Sequence, residues 1–436
     1  MYALIDANNF FVSCERVFRP DLADVPVLVL SNNDGCVVSR SNEVKAAGIP
    51  MGAPRFQIET KIKKFGVECF SSNFRLYGDL SDRLMRLIRA ESGSNRQEIY
   101  SIDECFVWLD ETDEARLSVW ARRLRGKISQ GLGLPVSIGV APSKTLAKLA
   151  SEIIKSDPLN DGTLVLPPGD DERRAGSVRE FPVGQVWGIG RATWAKLVEK
   201  KIDTAGKFMD MSREWVRANF GLGAAKTWAE LHGTACIDQL EAMVSHRQIL
   251  RSRSFGQAVT EKEQMQAAVS EFVTLAAEAC RRMGARANMV TVFIRTSNFA
   301  PVNQLYGNSA SVSLPMSSSN SGQLMSAAMR ALGRIWQPGF AYKKAGVMLS
   351  GLEQENAWQP SLWLSAAAMQ ADERQSGLMK KVDQLNRRYG QRVVGAGWAG
   401  MSHHLKSKKI EQKWFSRATN RSPEYSTDWQ HLQRVR

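Results

Sequence analysis

Two adjacent carboxylates, Asp103 and Glu104, lie between two short β-prone runs, Ile99 to Ile102 and Cys105 to Leu109. That spacing predicts a tight hairpin with the acids at its tip. Neighbouring like charges oppose each other's ionisation unless something positive lies between them. A third acid, Asp6, closes the apolar run Tyr2 to Ile5 and is followed by Ala7-Asn8-Asn9-Phe10-Phe11-Val12. This reads as a strand, an acid, and a turn into a helix. If that strand pairs with the hairpin, Asp6, Asp103 and Glu104 converge at one place on a sheet edge. Three such oxygens suit a hard divalent cation such as Mg²⁺. A pair of divalent ions there would suit in-line phosphoryl or nucleotidyl transfer: one lowers the pKa of an attacking hydroxyl, and both screen charge on the phosphorus oxygens. Taken alone, an Asp-Glu pair also fits a plain polar turn.

Cations that could serve such chemistry recur along the chain. Ser143 to Lys155 has a helical pattern with Ser143 as the N-cap after Pro142. At about 100° per residue, Lys144, Lys148 and Lys155 share a sector, with Leu146, Leu149 and Ile153 opposite. The expectation is one packed face and one cationic stripe, either solvated or facing a polyphosphate. Lys45, in a short helix from Asn42 to Ala47 closed by Gly48 and Pro50, is open to the same two readings. Val186-Trp187-Gly188-Ile189-Gly190-Arg191, echoed at Phe220-Gly221-Leu222-Gly223, has the form of a helix-hairpin-helix. Its glycines would let backbone N–H groups approach a DNA phosphate.

The elements that must position these groups exceed one core. At 436 residues, 43% apolar, the chain is expected to form three or four units. A formal charge of +14 and a pI near 9.6 favour a polyanionic partner, nucleic acid before a membrane surface. The six cysteines form no C-x-x-C pair and the five histidines do not cluster with them, so free buried thiols are expected and zinc is not. No run of 18 apolar residues occurs, and a strand begins where a signal peptide's charged region would sit, which predicts a cytoplasmic protein.

Val27 to Leu30, a turn at Ser31 to Gly35, and a return strand from Cys36 to Ser39 read as a small inserted subdomain. From Val244 to Leu352 the pattern is strand (Arg247 to Arg251), helix (Met265 to Met283), strand (Met289 to Thr296), loop, helix (Gly322 to Ile335) and strand (Ala345 to Leu349). The serine-rich stretch Asn308 to Ser321 reads as a flexible excursion. From Gly377 to Arg436 there are 13 Lys plus Arg against 4 Asp plus Glu, with Trp398, Trp414, Phe415, Tyr425 and Trp429 among them. That mixture suits a nucleic-acid or partner contact, or a solvated disordered tail.

Asp6-Ala7-Asn8-Asn9-Phe10-Phe11, Tyr100-Ser101-Ile102-Asp103-Glu104, Ser143 to Ala150 and Trp187-Gly188-Ile189-Gly190, in this order, resemble the motifs of the Y-family translesion DNA polymerases. The match runs essentially end to end. Ser31 to Val38, Ser252 to Gly256 and Tyr306 to Ser311 resemble the UmuC branch, the catalytic subunit of bacterial DNA polymerase V. The resemblance implies a multidomain α+β right hand. Its parts would be a ferredoxin-like palm (1–20 and 74–165), small fingers (21–73), a helix-hairpin-helix thumb (166–237) and an α+β little finger (243–352). Residues 353–436 would carry a clamp-binding peptide and a basic tail.

The implied activity is error-prone translesion DNA synthesis in SOS-type mutagenic repair. Asp6, Asp103 and Glu104 would hold two Mg²⁺ ions while a primer 3′-hydroxyl attacks the α-phosphate of a deoxynucleoside triphosphate. Phe11 falls at the steric-gate position that excludes a 2′-hydroxyl, where many relatives have Tyr. Phe10, Asn42, Lys45 and Lys155 would complete the nucleotide site. Asn42 stands near where better-known relatives have Tyr, which puts a hydroxyl contact to the triphosphate in question. Gly188, Ile189, Gly190 and Arg191 would meet primer-template DNA. Gln359-Pro360-Ser361-Leu362-Trp363 resembles the peptide that docks on a sliding clamp, with Trp363 replacing the usual Phe. A processed UmuD-like dimer and a RecA filament are further implied partners. A membrane is not, and the implied location is cytoplasmic and nucleoid-associated. A palm-fold nucleotidyl cyclase would need no Gly-Ile-Gly segment, and a silent DNA-binding scaffold would need no three intact carboxylates.

Overall fold

Alternation along Tyr2 to Ala7 sends Leu4 and Asp6 to one face of a strand and Ala3, Ile5 and Ala7 to the other. In the computed structural model, each set meets its own layer. The structure describes residues 1–93, 96–156, 161–169, 176, 178–237, 248–355, 366–389, 394, 418–428 and 431. The chain forms two units: residues 1–31, 35–242 and 420–436 in the first, and 32–34 with 243–419 in the second.

The first unit runs β1 (Tyr2–Ala7), α1 (Phe10–Phe18), β2 (Val27–Leu30), β3 (Val37–Arg40), α2 (Asn42–Ala46), α3 (Arg55–Phe65), β4 (Glu68–Ser71) and α4 (Phe74–Ser92). It continues through β5 (Gln97–Ile99), β6 (Glu104–Trp108), α5 (Glu114–Leu132), β7 (Val136–Ala141), α6 (Lys144–Ser156) and β8 (Thr163–Val165). Then come α7 (Arg191–Glu199), α8 (Ala205–Met209) and α9 (Arg213–Leu231), the last broken at Gly221. The main sheet has the order β5-β6-β1-β7-β8. Without β8, its order and the helices α4 and α5 between strands give the β-α-β-β-α-β arrangement of a ferredoxin-like palm. Ala3, Ile5 and Ala7 pack with Leu76, Leu80 and Leu84 of α4 and with Leu117, Ala121 and Leu124 of α5. Leu4 and Phe106 pack on the other face with Leu146, Leu149 and Ala150 of α6. A smaller sheet, β3-β2-β4, closes over Leu28, Leu30, Val37, Val44 and Ile58.

The second unit runs β9 (Gln248–Val259), α10 (Lys262–Arg282), β10 (Ala285–Thr296), β11 (Gly307–Ser318), α11 (Ser321–Ile335), β12 (Tyr342–Gln354) and α12 (Ala366–Tyr389). Its sheet has the order β11-β10-β12-β9, antiparallel throughout. Val290, Val292, Val347 and Leu349 meet Ala268, Phe272, Leu324 and Ala328 of α10 and α11. The Arg281 guanidinium grips Asp383 of α12 through two 2.7 Å hydrogen bonds. No helix among the described residues is long and apolar enough to cross a membrane.

Three expectations are corrected. The serine-rich stretch is no excursion: it contains β11, whose Val312 pairs with Val290. Ala310, Val312 and Leu314 turn inward while Ser309, Ser311 and Ser313 are exposed, so a period of two was hidden by small polar residues on the outer face. The acids do not form a two-residue hairpin tip. β5 ends at Ile99, the connection is Tyr100 to Asp103, and Glu104 already belongs to β6, drawn in by its pairing with β1. The cysteines are free, yet Cys36 and Cys236 are only partly buried. Gln359, Ser361, Leu362 and Trp363 lie outside the described residues.

Candidate active site

Register places the acids. β1 pairs antiparallel with β6 so that Asp6 stands opposite Glu104, and Leu4 opposite Phe106, on the face that α6 crosses. Directly opposed side chains in such a pair lie within about 5 Å at Cβ, which sets the two carboxyls against each other. Asp103 sits one residue earlier, and its carbonyl accepts from Ala7 N at 2.9 Å. Its carboxylate is held by the Ser101 hydroxyl at 2.5 Å. The backbones thus converge as expected, whereas the carboxylates do not close fully. Among the described residues no three His, Cys, Asp or Glu side chains form a ready metal cluster.

The lysine sector of α6 is the clearest departure from expectation. It is not a free stripe: each ammonium meets a carboxylate, although burial falls from Lys144, fully buried, to Lys148, half-buried, and Lys155, exposed. Lys144 reaches Glu98 at 2.7 Å, with side-chain exposures of 2% and 9%. Lys148 reaches Glu104 at 2.6 Å, and Lys155 reaches Asp6 and Glu152 at 2.7 and 2.8 Å. Three ammoniums of α6 thus meet three carboxylates of the sheet, and Lys155 pairs as well with Glu152 of its own helix. Ser143 caps this helix, its hydroxyl accepting from Leu146 N at 3.3 Å.

Electrostatics follow from that geometry. Burial pushes Asp6 up to about 7, opposed by the Lys155 ammonium and reinforced by its hydrogen bond with Glu104. Burial also raises Glu104, but the hydrogen bond from Asp6 and the Lys148 ammonium outweigh it and hold Glu104 below its ordinary value. Opposed carboxyls this close disfavour double ionisation, which is why the two are driven in opposite directions. Burial lowers Lys155, yet its bonds to Asp6 and Glu152 leave it above its usual value. Partial desolvation, with Arg40 and Lys155 near by, lowers Lys45.

Asn9, at φ 49°, turns the chain from β1 into α1 and so sets Phe10 and Phe11 on different sides. Phe10 is 3% exposed and belongs to the core under the sheet, so its ring is not presented to a ligand. Phe11 is partly exposed and stacks on Tyr77, centroids 4.6 Å apart and planes at 14°. Asn42 accepts from Asn9 at 3.2 Å and from Lys45 at 3.2 Å, linking α2 to the β1 turn.

In the Gly-Ile-Gly segment, Ile189 is 7% exposed and packs with Leu197 and Val186. Gly188 has φ +94°, and a Cβ there would collide with the Thr227 hydroxyl. Gly190 precedes α7 as its N-cap, and Arg191 is exposed. Two residues were missed in sequence. Glu98 neutralises Lys144, and Glu230 accepts from Thr145, Cys236 and Ile237 N, joining α9 to the start of α6. The acid at position 98 opens the same β-prone stretch as Asp103; nothing local marks Glu230.

Comparison with known proteins agrees with this architecture. Residues 5–152 match the impB/mucB/samB family, and 246–362 match that family's C-terminal domain. Residues 376–435 match a domain of unknown function. The chain is 38% identical to protein ImpB of Salmonella typhimurium, over 95% of this chain and 98% of that protein. It is 37% identical to protein UmuC of the same species across 100% of both. DNA polymerase IV of Moorella thermoacetica is 30% identical over 90% of this chain and 94% of its own.

A Y-family chimera of Dbh and Dpo4 superposes with a TM-score of 0.64, covering 81% of this chain and 99% of the other at 18% identity. An insertion ternary complex of Dbh DNA polymerase gives 0.52, with 81% and 99% coverage at 17% identity. The fold and these relatives define a Y-family DNA-directed DNA polymerase. The chain belongs to the impB/mucB/samB family and is of its UmuC type.

Proposed function

We propose that this translesion polymerase is error-prone and serves SOS-type mutagenic repair, extending a primer opposite damaged template by nucleotidyl transfer at Asp6, Asp103 and Glu104. The observation that carries the reading is the opposed Asp6 and Glu104 carboxyls, register partners on adjacent strands and each bonded to an ammonium of α6, Lys155 and Lys148. Hard carboxylate oxygens with excess negative charge fit Mg²⁺. Asp6 and Glu104, joined by Asp103 once it turns from Ser101, would hold two ions. Bound there, the ions would lower the pKa of the primer 3′-hydroxyl and screen the charge developing at the α-phosphate.

The remaining roles belong to the chain's own groups. Asp6 must lose its proton before both opposed carboxyls can act as ligands. Lys155 and Lys148 are then free to exchange a carboxylate for triphosphate oxygens, with Lys45 and Asn42 beside them on α2. Because Phe10 is buried, its part is limited to its backbone and to carrying Phe11. The Phe11 ring lies against the sugar and excludes a 2′-hydroxyl. Gly188 and Gly190, with Ile189 packed beneath, present backbone N–H groups to a DNA phosphate, and Arg191 adds a charge.

The similarity to UmuC supports a processed UmuD-like dimer, a RecA filament and a sliding clamp as partners, with Gln359, Ser361, Leu362 and Trp363 as the clamp peptide. It supports a cytoplasmic, nucleoid-associated location with no membrane partner. The test is primer extension across an abasic site with Mg²⁺, comparing the chain alone with the chain plus the UmuD-like dimer, activated RecA and clamp. Extension that requires the accessory proteins is expected. No extension under any condition would overturn the reading.

A further inference from the structure

The last described stretch of the chain returns to the first unit and packs there, as a solvated tail would not. Asn420 and Ser71 exchange backbone and side-chain hydrogen bonds at 3.0 Å, and Asn420 Nδ2 donates to the Cys69 carbonyl at 3.1 Å. The fully buried Asn73, N-cap of α4, donates from Nδ2 to the Ser422 carbonyl, the Ser422 hydroxyl and the Pro423 carbonyl at 3.0 to 3.2 Å. Arg75 pairs with Glu424 at 2.7 Å, and the Ser426 hydroxyl donates to Asp79 at 2.7 Å. Tyr425 stacks on Phe18 at 4.5 Å with planes 5° apart.

Inside this contact sits Glu15, 0% exposed, on α1. One of its oxygens, Oε1, accepts from the Tyr77 hydroxyl at 2.6 Å and from the Ser422 hydroxyl at 3.0 Å. A buried carboxylate is expensive unless it is hydrogen-bonded, so these donors and Glu15 hold one another in place. Tyr77, itself fully buried, lies flat against Phe11 at 4.6 Å, and Phe74 meets both rings edge-on. An unbroken chain of contacts therefore runs from Ser422 through Glu15 and Tyr77 to Phe11.

We propose that residues 420–426 form a strap that sets the sugar-facing ring. Ser422 fixes Glu15, Glu15 fixes Tyr77, and Tyr77 backs Phe11, so a segment 407 residues downstream of Glu15 tunes discrimination between deoxyribose and ribose. Ser422, Glu15 and Tyr77 are positioning residues and touch no substrate. This rests on Phe11 being the sugar gate, and it gives one structural task to part of the domain of unknown function matched over 376–435.

The test is single-nucleotide incorporation by the full chain, with whatever accessory proteins the wild type requires. Matched deoxyribonucleoside and ribonucleoside triphosphates are compared as a ratio of kcat/KM. Phe11→Ala lowers that ratio most and certifies the gate. Ser422→Ala and Tyr77→Phe each lower it about fivefold, the scale of one lost hydrogen bond, while deoxynucleotide kcat/KM stays within about twofold. Glu15→Gln keeps an acceptor oxygen and holds the ratio near wild type; Glu15→Leu does not. Hydrogen exchange at residues 74–80 reports the loosening of α4 directly in Ser422→Ala.

A lowered ratio in Phe11→Ala, with wild-type ratios in Ser422→Ala, Tyr77→Phe and Glu15→Leu, overturns the strap and leaves the gate. An unchanged ratio in Phe11→Ala overturns the gate and the strap with it. Equal losses for both sugars in the strap variants also overturn the proposal, since they mark simple destabilisation.

Discussion

The main sheet of the first unit and the sheet of the second alternate strands and helices in the same order, yet they place their polar residues in opposite ways. In the first, α4 and α5 cover one face and α6 crosses the other, so nearly every position of β1 and β7 is buried. The lysines of α6 appear there in matched pairs: Lys144 with Glu98, Lys148 with Glu104, Lys155 with Asp6. In the second, α10 and α11 cover one face, and the other presents Thr291, Arg295, Ser309, Ser311, Ser313 and Lys344, exposed or partly so. Arg295 and Lys344 are register partners on that face. A sheet closed on both sides can hold charges at fixed separations, which bond-making chemistry needs. An open, serine-lined face suits a contact with a polyanion that must accept any sequence and irregular shapes.

Substitutions in the two sheets should therefore fail differently. The largest effect is expected at Glu104→Ala, which removes a proposed metal ligand and the carboxylate that Lys148 pairs with. Incorporation should fall about a thousandfold or more, with DNA affinity within about twofold of wild type. A parallel loss of DNA binding would break the comparison. Next is Lys144→Ala, which removes the buried ammonium paired with Glu98 and should destabilise the first unit by about 3–5 kcal/mol in chemical denaturation. A change under 1 kcal/mol would mean that water reaches Glu98.

A third expectation concerns pH. Folding raises Asp6 to about 7, so between its ordinary value and 7 the folded chain binds the extra proton. Stability contributed by this group therefore falls as pH rises through that window, in the absence of metal. The same proton competes with Mg²⁺. Apparent Mg²⁺ affinity should rise about tenfold per unit up to pH 7 and flatten above it. Isothermal titration at pH 6 and pH 8 reads this directly, and equal affinities would contradict a raised Asp6.

The smallest effect is on the open sheet. Arg295→Ala with Lys344→Ala should weaken DNA binding several-fold and reduce the salt slope by about 2, with kcat unchanged. An effect on kcat instead would place chemistry where the comparison puts only grip.

Much of the site was legible because its signals are local. Asp6 after an apolar run and Asp103-Glu104 inside a β-prone stretch carry their context with them, whereas Phe11 stands out only through the resemblance to Y-family polymerases. The partners were not legible. Helical periodicity grouped Lys144, Lys148 and Lys155, but whether that sector meets water, phosphate or carboxylate is decided by the register of β1 against β6, a long-range choice. β11 escaped because serines blurred its alternation, and only pairing with β10 supplies the hydrogen bonds that order it. Ser422 escaped for the strongest reason: nothing near it in sequence hints at Glu15.

The proposed site for nucleotidyl transfer needs all three acids, although the Asp103 carboxylate is held by Ser101 apart from the opposed Asp6 and Glu104. The most direct measurement is Mg²⁺-dependent single-nucleotide incorporation by Asp103→Ala, with DNA affinity measured on the same primer-template. The expected result is that incorporation is abolished while DNA binding is kept. Retained incorporation would contradict it and reduce Asp103 to a backbone partner of Ala7.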